Sequence, residues 1–113
     1  MMNHWLFRLG AINAAASVLI QAVGGHKPWE IDRKLIFNKA FDLHISSSIG
    51  MMLCAFKANG PYSSIPGVLL LVGSGLFSGF AYYRCFYNDR KYNQMMPIGG
   101  SSIILGWLLL AFI

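Results

Sequence analysis

No charged residue lies between Lys57 and Arg84, a run of 26 residues, positions 58–83, that contains the apolar stretch Ile65 to Tyr83. A helix of about 20 apolar residues spans the hydrocarbon core of a bilayer, so this stretch predicts a membrane helix. Only 12% of the 113 residues are charged, about half of the share that is typical of soluble domains. The composition therefore favours an integral membrane protein over a soluble one.

Three further apolar stretches accompany this one, and short polar loops separate all four. Gly24-Gly25 and Pro28 mark the first loop, Asn59-Gly60-Pro61 marks the second, and Asp32 is a plausible N-cap for the second helix. The pattern predicts a single all-α domain, an integral membrane, up-and-down bundle of four transmembrane helices with short loops. We expect the helices at roughly residues 5-23, 35-57, 65-86 and 95-113.

The first apolar stretch also has the general layout of a signal peptide, with Arg8 ahead of an apolar run. However, Asn13, Ser17 and Gln21 are spaced four residues apart and share one helical face. A packed membrane helix uses such a polar stripe for contacts with other helices. We therefore expect this stretch to be retained as the first helix of the bundle.

The two cysteines do not form a disulfide framework. Cys54 lies near the end of the second apolar stretch and Cys85 just past the end of the third. In an antiparallel pair of helices, these positions fall at opposite membrane surfaces, about 30 Å apart. A disulfide needs α-carbons within about 7 Å, so we expect two buried, inert thiols.

The basic residues indicate the orientation in the membrane. Those of the first and third loops and their flanks are Lys27, Arg33, Lys34, Lys39, Arg84, Arg90 and Lys91. Only Arg8 and Lys57 lie on the other side. The positive-inside rule therefore places loops 1 and 3 in the cytoplasm, or in the matrix of a mitochondrion, with both termini on the opposite side.

Six glycines in the third and fourth stretches predict close helix packing, because small residues let helix backbones approach in lipid. They are Gly73, Gly75, Gly79, Gly99, Gly100 and Gly106. Gly75 and Gly79 form a G-x-x-x-G pair, which we expect to pack within the bundle, with the contact face of a homodimer as the alternative.

Asp42 and His44 are candidates for a functional polar site, because ionisable groups inside a membrane are costly. They are two residues apart and point to different faces of a helix, so they do not pair with each other. The simpler interpretation places both at interface depth, bonded to loop residues or water. His26 lies on the same side as His44, and Ser47 extends the candidate polar site.

A metal or haem held by His26 and His44 is the only cofactor that these residues suggest. A metal site needs three or four ligands, and Cys85 is the only obvious soft ligand on that side of the membrane. We expect no cofactor and no metal. The chain also lacks a phosphate-binding loop, a nucleophile elbow and a metalloprotease motif, so we expect no enzymatic activity.

The chain resembles the transmembrane protein 256 family and the related bacterial inner-membrane proteins of unknown function. The matching motifs, in order, are Arg8-Leu9-Gly10-Ala11, Gly24-Gly25-His26, Phe37-Asn38-Lys39-Ala40 with His44, Gly75-Leu76-Phe77-Ser78-Gly79, Pro97-Ile98-Gly99-Gly100 and Gly106-Trp107. The resemblance implies four membrane helices and, for animal members, a mitochondrial location. Relatives often carry a second histidine where this chain has Ser47, so the resemblance does not extend to a histidine pair.

Two functional hypotheses follow. The first is a non-catalytic accessory or structural subunit that packs against a larger complex of the mitochondrial inner membrane, plausibly one of the respiratory chain. The alternative is a small transporter, channel or lipid-handling protein that uses Asp42, His44 and Ser47. In either case we expect membrane lipids, including cardiolipin, as partners and no nucleic acid. The expected head-group contacts are Arg8, Arg33, Lys34 and Arg84.

Overall fold

The computed structural model describes residues 4–57, 63–89 and 91–112. It contains four helices: α1 (His4–Gly24), α2 (Ile31–Lys57), α3 (Ile65–Tyr87) and α4 (Met95–Leu110). In the part of the chain that is described, all regular structure is helical, as the apolar pattern predicts. The expected turn at Asn59-Gly60-Pro61 lies outside the described residues.

The ends of the helices follow local sequence signals. α1 ends at Gly24, where the amide of Gly25 donates to the carbonyl of Gln21. α3 has Pro66 in its first turn and ends before Asn88, which adopts a left-handed conformation with φ of 52°. Asparagine tolerates this conformation better than most residues, and it is a common way for a helix to end.

The start of α2 differs from the sequence prediction. The helix begins at Ile31, four residues before the expected start, and Asp32 therefore lies in its first turn rather than at the N-cap. The amide of Lys34 donates to the carbonyl of Glu30, one turn earlier. A carboxylate in the first turn still favours the helix, because it faces the positive end of the helix dipole.

Each helix packs on the next in sequence: α1 on α2, α2 on α3 and α3 on α4. Among the described residues, α1 and α4 do not contact each other. The bundle is consequently a flattened slab, with extents of 46 × 26 × 17 Å. α2 and α3 form its centre, and α1 and α4 form its two edges.

Glycine allows the closest approach between helices, at α3 and α4. A Cβ atom on Gly99 would lie 2.5 Å from the amide nitrogen of Phe77 and 2.8 Å from the carbonyl oxygen of Gly73. A Cβ atom on Gly106 would lie 3.0 Å from the carbonyl oxygen of Pro66. Gly73, Gly99 and Gly106 are therefore required at these positions because backbone faces backbone.

The other glycines of this group lie elsewhere. A Cβ atom on Gly75 or Gly79 would meet no atom within 4 Å, and one on Gly100 would have only an ordinary contact at 3.8 Å. The structure thus differs from the expectation that the G-x-x-x-G pair packs inside the bundle. Gly75 and Gly79 lie on the outer face of α3, because that face is rotated away from α2 and α4.

The buried apolar residues form two clusters at opposite ends of the bundle. One contains Leu6, Met51, Cys54, Ala55, Leu70 and Ile103. The other contains Phe37, Ala40, Ala81, Tyr82 and Cys85. Both cysteines are free and buried, one in each cluster. Between the clusters, polar side chains line the interfaces among α1, α2 and α3.

Large apolar side chains cover much of the outer surface of the bundle, whereas the first half of α2 also exposes charged side chains. α1 and α3 are each long and apolar enough to cross a membrane, while α4 is apolar but shorter and α2 carries several charges. Of α1, only Leu6, Gly10, Ser17 and Gly24 are buried, so most of this helix faces outward. Large apolar side chains that point outward include Ile12, Val18, Leu19, Val23, Leu53, Phe56, Val72, Ile104 and Leu108.

Candidate functional site

His44 lies at the centre of the polar region between the two apolar clusters. Its side chain is 8% exposed. Nδ1 is 3.0 Å from the hydroxyl oxygen of Tyr82 on α3, and Nε2 is 2.8 Å from Oδ1 of Asn13 on α1. One imidazole on α2 therefore links all three of these helices.

Asn13 extends the hydrogen bonds to two serines. Its Nδ2 donates to Oγ of Ser48 on α2 at 2.9 Å and, more weakly, to Oγ of Ser74 on α3 at 3.5 Å. We refer to Asn13, His44, Ser48, Ser74 and Tyr82 as the polar cluster. Ser48 and Ser74 are almost completely buried, so the cluster lies in the interior of the bundle.

The serine hydroxyls determine the direction of these hydrogen bonds. Ser48 donates its single proton to the carbonyl of His44 at 2.8 Å, and Ser74 donates to the carbonyl of Leu71 at 3.1 Å. Both hydroxyls therefore act as acceptors toward Asn13, whose amide group must donate to them. This orientation leaves Oδ1 of Asn13 facing the histidine.

The tautomer of His44 follows from that orientation. Oδ1 of Asn13 can only accept, so Nε2 of His44 carries a proton and donates it. In the neutral imidazole, Nδ1 is then an acceptor, and the hydroxyl of Tyr82 donates to it. Both ring nitrogens are satisfied, and the hydrogen bonds end on backbone carbonyls of the bundle itself.

Such a cluster favours a specific arrangement of helices in lipid. Away from water, an unpaired polar group costs several kcal/mol. Hydrogen bonds between membrane helices contribute on average about 0.6 kcal/mol and up to about 2 kcal/mol each. The polar cluster therefore specifies the rotation of α1, α2 and α3 about their axes, since other rotations leave its members unpaired.

A second contact between α2 and α3 lies next to the cluster. Ser78 donates to the carbonyl of Ala40 at 2.7 Å, and both residues are buried. Further along α2, Ser47 is completely buried, but its hydroxyl has no hydrogen-bond partner. Two neighbouring serines, Ser47 and Ser48, thus differ sharply in their hydrogen bonding.

The predicted polar site is only partly assembled. His44 and Ser47 lie inside the bundle, whereas the side chain of Asp42 is on the exposed face of α2 and His26 is exposed in the first loop. His44 and Asp42 point in different directions, as their spacing requires. Among the described residues, no three histidine, cysteine, aspartate or glutamate side chains are placed to hold a metal ion.

Of the polar stripe on α1, only Asn13 bonds to other helices through its side chain. Ser17 is buried, but its hydroxyl donates to the carbonyl of Ala14 in its own helix at 2.6 Å. Oε1 of Gln21 is buried without a hydrogen-bond partner. Spacing alone identified the face, but it did not distinguish a residue that links helices from one that bonds locally.

Sequence reasoning missed Tyr82, Ser48 and Ser74. A signal for them is present, since each of the first three apolar stretches carries polar residues four apart: Asn13 and Ser17, His44 and Ser48, and Ser74, Ser78 and Tyr82. Residues with this spacing share one helical face. Because three consecutive helices each carry such a polar face, the sequence could have been used to predict that these faces pack against one another.

The expected head-group residues lie in different environments. Arg8 and Lys34 are exposed, while Arg33 and Arg84 are half-buried. Arg33 donates to the carbonyl of Cys85 at the end of α3, and its guanidinium lies 5.4 Å from the ring of Trp29. Arg33 therefore joins the start of α2 to the end of α3.

Comparison with known proteins places the chain in a family. Residues 20–100 match the model of a protein family of unknown function, DUF423. The membrane protein SERP0230 of the UPF0382 group, from Staphylococcus epidermidis, is 30% identical over 110 residues, which cover 90% of this chain and 88% of the relative. The UPF0382 membrane protein YwdK from Bacillus subtilis is 29% identical over 109 residues, or 90% and 89% of the two chains.

No solved structure matches the chain. The relatives carry the names of bacterial membrane proteins, in agreement with the bacterial part of the resemblance, while the name transmembrane protein 256 stays a prediction. Together with the apolar outer surface, they show that this chain is an integral membrane protein. It belongs to the DUF423 family of membrane proteins of unknown function.

Proposed function

We propose that this chain is a non-catalytic integral membrane protein whose four helices cross the bilayer and whose outer faces pack against a larger membrane assembly. The observation that carries the proposal is that the members of the polar cluster bond to one another and to the backbone of the bundle. Its hydrogen bonds end on partners within the bundle. The cluster thus presents no reactive pair to a substrate, and the outward faces are apolar and suited to packing.

The direction of the helices supports four membrane crossings. At one end, a Cβ on Gly67 at the start of α3 would touch Leu6 at the start of α1. At the other end, a Cβ on Gly24 of α1 would lie 3.0 Å from Phe86 of α3. α1 and α3 therefore run in the same direction, and if both cross the membrane, α2 must cross back between them.

α4 completes this arrangement. Its 16 residues correspond to about 24 Å of helix, somewhat less than the hydrocarbon core of about 30 Å. α4 packs along α3 over the Gly73, Gly99 and Gly106 contacts. A short apolar helix held against a longer one is accommodated by local thinning of the bilayer or by its neighbours.

The narrower form of the proposal is an accessory subunit of a respiratory-chain complex in the mitochondrial inner membrane, with loops 1 and 3 in the matrix. The family resemblance and the basic loops support this form, whereas the named relatives are bacterial. In a bacterium, the same charge pattern places loops 1 and 3 in the cytoplasm.

Blue-native electrophoresis tests the assembly. Membranes that contain the tagged chain are solubilised in digitonin and in dodecyl maltoside, and the tag is detected after separation. We expect the chain to migrate with a larger complex in digitonin. Migration only as a small free species in both detergents, with a folded chain, would contradict the proposal.

A small transporter is the second candidate, and the buried imidazole supports it. His44 is linked to Tyr82 and lies near Ser47, whose buried hydroxyl is unpaired. A proton flux in liposomes that is lost in His44→Gln but retained in Asp42→Asn would favour this candidate over the packing protein. Flux equal to that of protein-free liposomes would exclude proton transport by the isolated chain.

A further inference from the structure

The outer face of α3 carries a groove that the helix packing leaves open. It has a volume of about 480 Å³ and is lined by Gly79, Tyr82, Tyr83, Phe86 and Tyr87. We call it the Gly79 groove. It lies in the last turns of α3, and Gly79 is eight residues before the end of the helix, about 12 Å along its axis.

The groove exists because its floor lacks a side chain and its walls are held by packing. A Cβ on Gly79 would meet nothing within 4 Å. On one side, Phe86 packs against Trp29, with 5.2 Å between ring centroids. On the other, the ring centroids of Tyr83 and Tyr87 lie 4.9 Å apart, with the ring planes tilted by 40°. The groove is therefore preformed, with aromatic walls in the last turns of α3.

A cation lies at the edge of this groove. Nζ of Lys27, in the first loop, is 5.9 Å from the centroid of the Phe86 ring. The neighbouring carboxylate, Asp89, is on the Tyr83 side, where it accepts hydrogen bonds from the Tyr83 hydroxyl and the Lys91 amide. The Phe86 edge of the groove is thus cationic.

The other charged residues at this end of the bundle are also mainly basic. Loops 1 and 3 and their flanks carry the seven bases named above, against the four acids Glu30, Asp32, Asp42 and Asp89. Anionic lipid is attracted to such a surface, at about 1 kcal/mol per base. Charge and shape therefore point to the same class of ligand.

We propose that the Gly79 groove binds one acyl chain of an anionic phospholipid, whose phosphate pairs with Lys27. The depth of Gly79 matches the acyl region below the head groups, and Tyr83 and Tyr87 suit the interface. The volume lies within the usual range of small-molecule sites, about 300–1,000 Å³. The site does not depend on a larger assembly, so the isolated chain is sufficient to test it.

Native mass spectrometry of the full chain provides the test. The protein is released from nanodiscs that contain equal amounts of palmitoyl-oleoyl phosphatidylglycerol and phosphatidylcholine, and the bound lipids are counted. We expect about a fivefold preference for phosphatidylglycerol, the effect of one well-placed base. Lys27→Gln should lower that preference by about fivefold, and Gly79→Leu should remove the retained lipid.

Two matched variants separate this site from general effects. Lys39→Gln removes the same charge from the flank of the same loop, on exposed α2 surface, and should leave most of the preference. Gly75→Leu adds the same side chain to the same face of α3, one turn away and outside the groove lining, and should retain the lipid. Circular dichroism checks that each variant keeps its helical content.

Three results would overturn the proposal. Equal losses in Lys27→Gln and Lys39→Gln would show a general attraction of the basic surface. Lipid retention in a folded Gly79→Leu protein would show that the groove is not the site. A dimer in the wild type that both Gly75→Leu and Gly79→Leu convert to monomer, with no change in bound lipid, would assign this face to a second copy of the chain.

Discussion

The two interfaces of α3 hold their neighbouring helices by different means. Toward α4, glycine brings backbones together, with Gly73 facing Gly99. Toward α2 and α1, side chains bond across the interface through Ser74, Ser78 and Tyr82. Lipid supplies no hydrophobic drive for helices to associate, so shape and hydrogen bonds must replace it. Toward α4 this protein relies mainly on shape, with one hydrogen bond from the Ser102 hydroxyl to the carbonyl of Leu69, and toward α2 and α1 it relies mainly on hydrogen bonds between side chains.

The comparison also shows how each interface fails. At Gly99 the contact cannot yield, because the atoms nearest to an added Cβ belong to the backbone of Phe77 and Gly73 rather than to a flexible side chain. A hydrogen-bonded interface can lose one member and relax partly around it. We therefore expect larger effects at the glycine interface than at the polar cluster.

Gly99→Ala should have the largest effect. The added Cβ would lie 2.5 Å from the amide nitrogen of Phe77, so α4 must move away, at about 3 kcal/mol or more of unfolding free energy. Unfolding in mixed micelles with increasing sodium dodecyl sulfate measures this loss. Gly100→Ala is the matched control, since its Cβ would be 3.8 Å from Phe77, and it should be neutral or stabilise by about 0.5–1 kcal/mol. Equal losses in the two variants would refute the close contact.

His44→Leu should have an intermediate effect, about 2–3 kcal/mol, because it leaves buried polar atoms of Asn13 and Tyr82 without partners. The same titration in mixed micelles measures it. Asp42→Asn, two residues away on the exposed face, should change the unfolding free energy by less than about 0.5 kcal/mol. If Asp42→Asn were the more damaging variant, the polar interior would have been assigned to the wrong residue.

The smallest expected effect is the difference in stability between alanine substitutions of the two neighbouring serines, Ser47 and Ser48. Ser48→Ala removes an acceptor for Asn13 and should cost about 1 kcal/mol. Ser47→Ala removes a buried hydroxyl without a partner and should be neutral or slightly stabilising. Thermal denaturation of the two variants side by side measures the difference, and a larger loss in Ser47→Ala would reveal a partner for that hydroxyl.

The sequence was sufficient for the class of the protein, because an uncharged run of 26 residues leaves few alternatives to a membrane helix. It was not sufficient to predict which face of each helix lies inside the bundle. Gly73 and Gly75 look equivalent in sequence, yet one is at a helix contact and the other faces outward. The difference is set by the rotation of α3, which depends on its neighbours.

The same limit applied to the polar residues. The two-residue spacing of Asp42 and His44 correctly required different faces, but not which of them lies inside. Asn13 and Tyr82 are 31 and 38 positions from His44, so only tertiary packing brings the three together. Local patterns predict elements and faces, while partners across helices depend on the whole bundle.

A double-mutant cycle between Asn13 and His44 tests the central claim that the polar cluster joins the helices. Unfolding free energies are measured for the wild type, Asn13→Ala, His44→Ala and the double variant, in the same mixed micelles. We predict a coupling energy of about 1–2 kcal/mol, because the two side chains share a direct hydrogen bond at 2.8 Å. Single effects that add within about 0.3 kcal/mol would contradict the account.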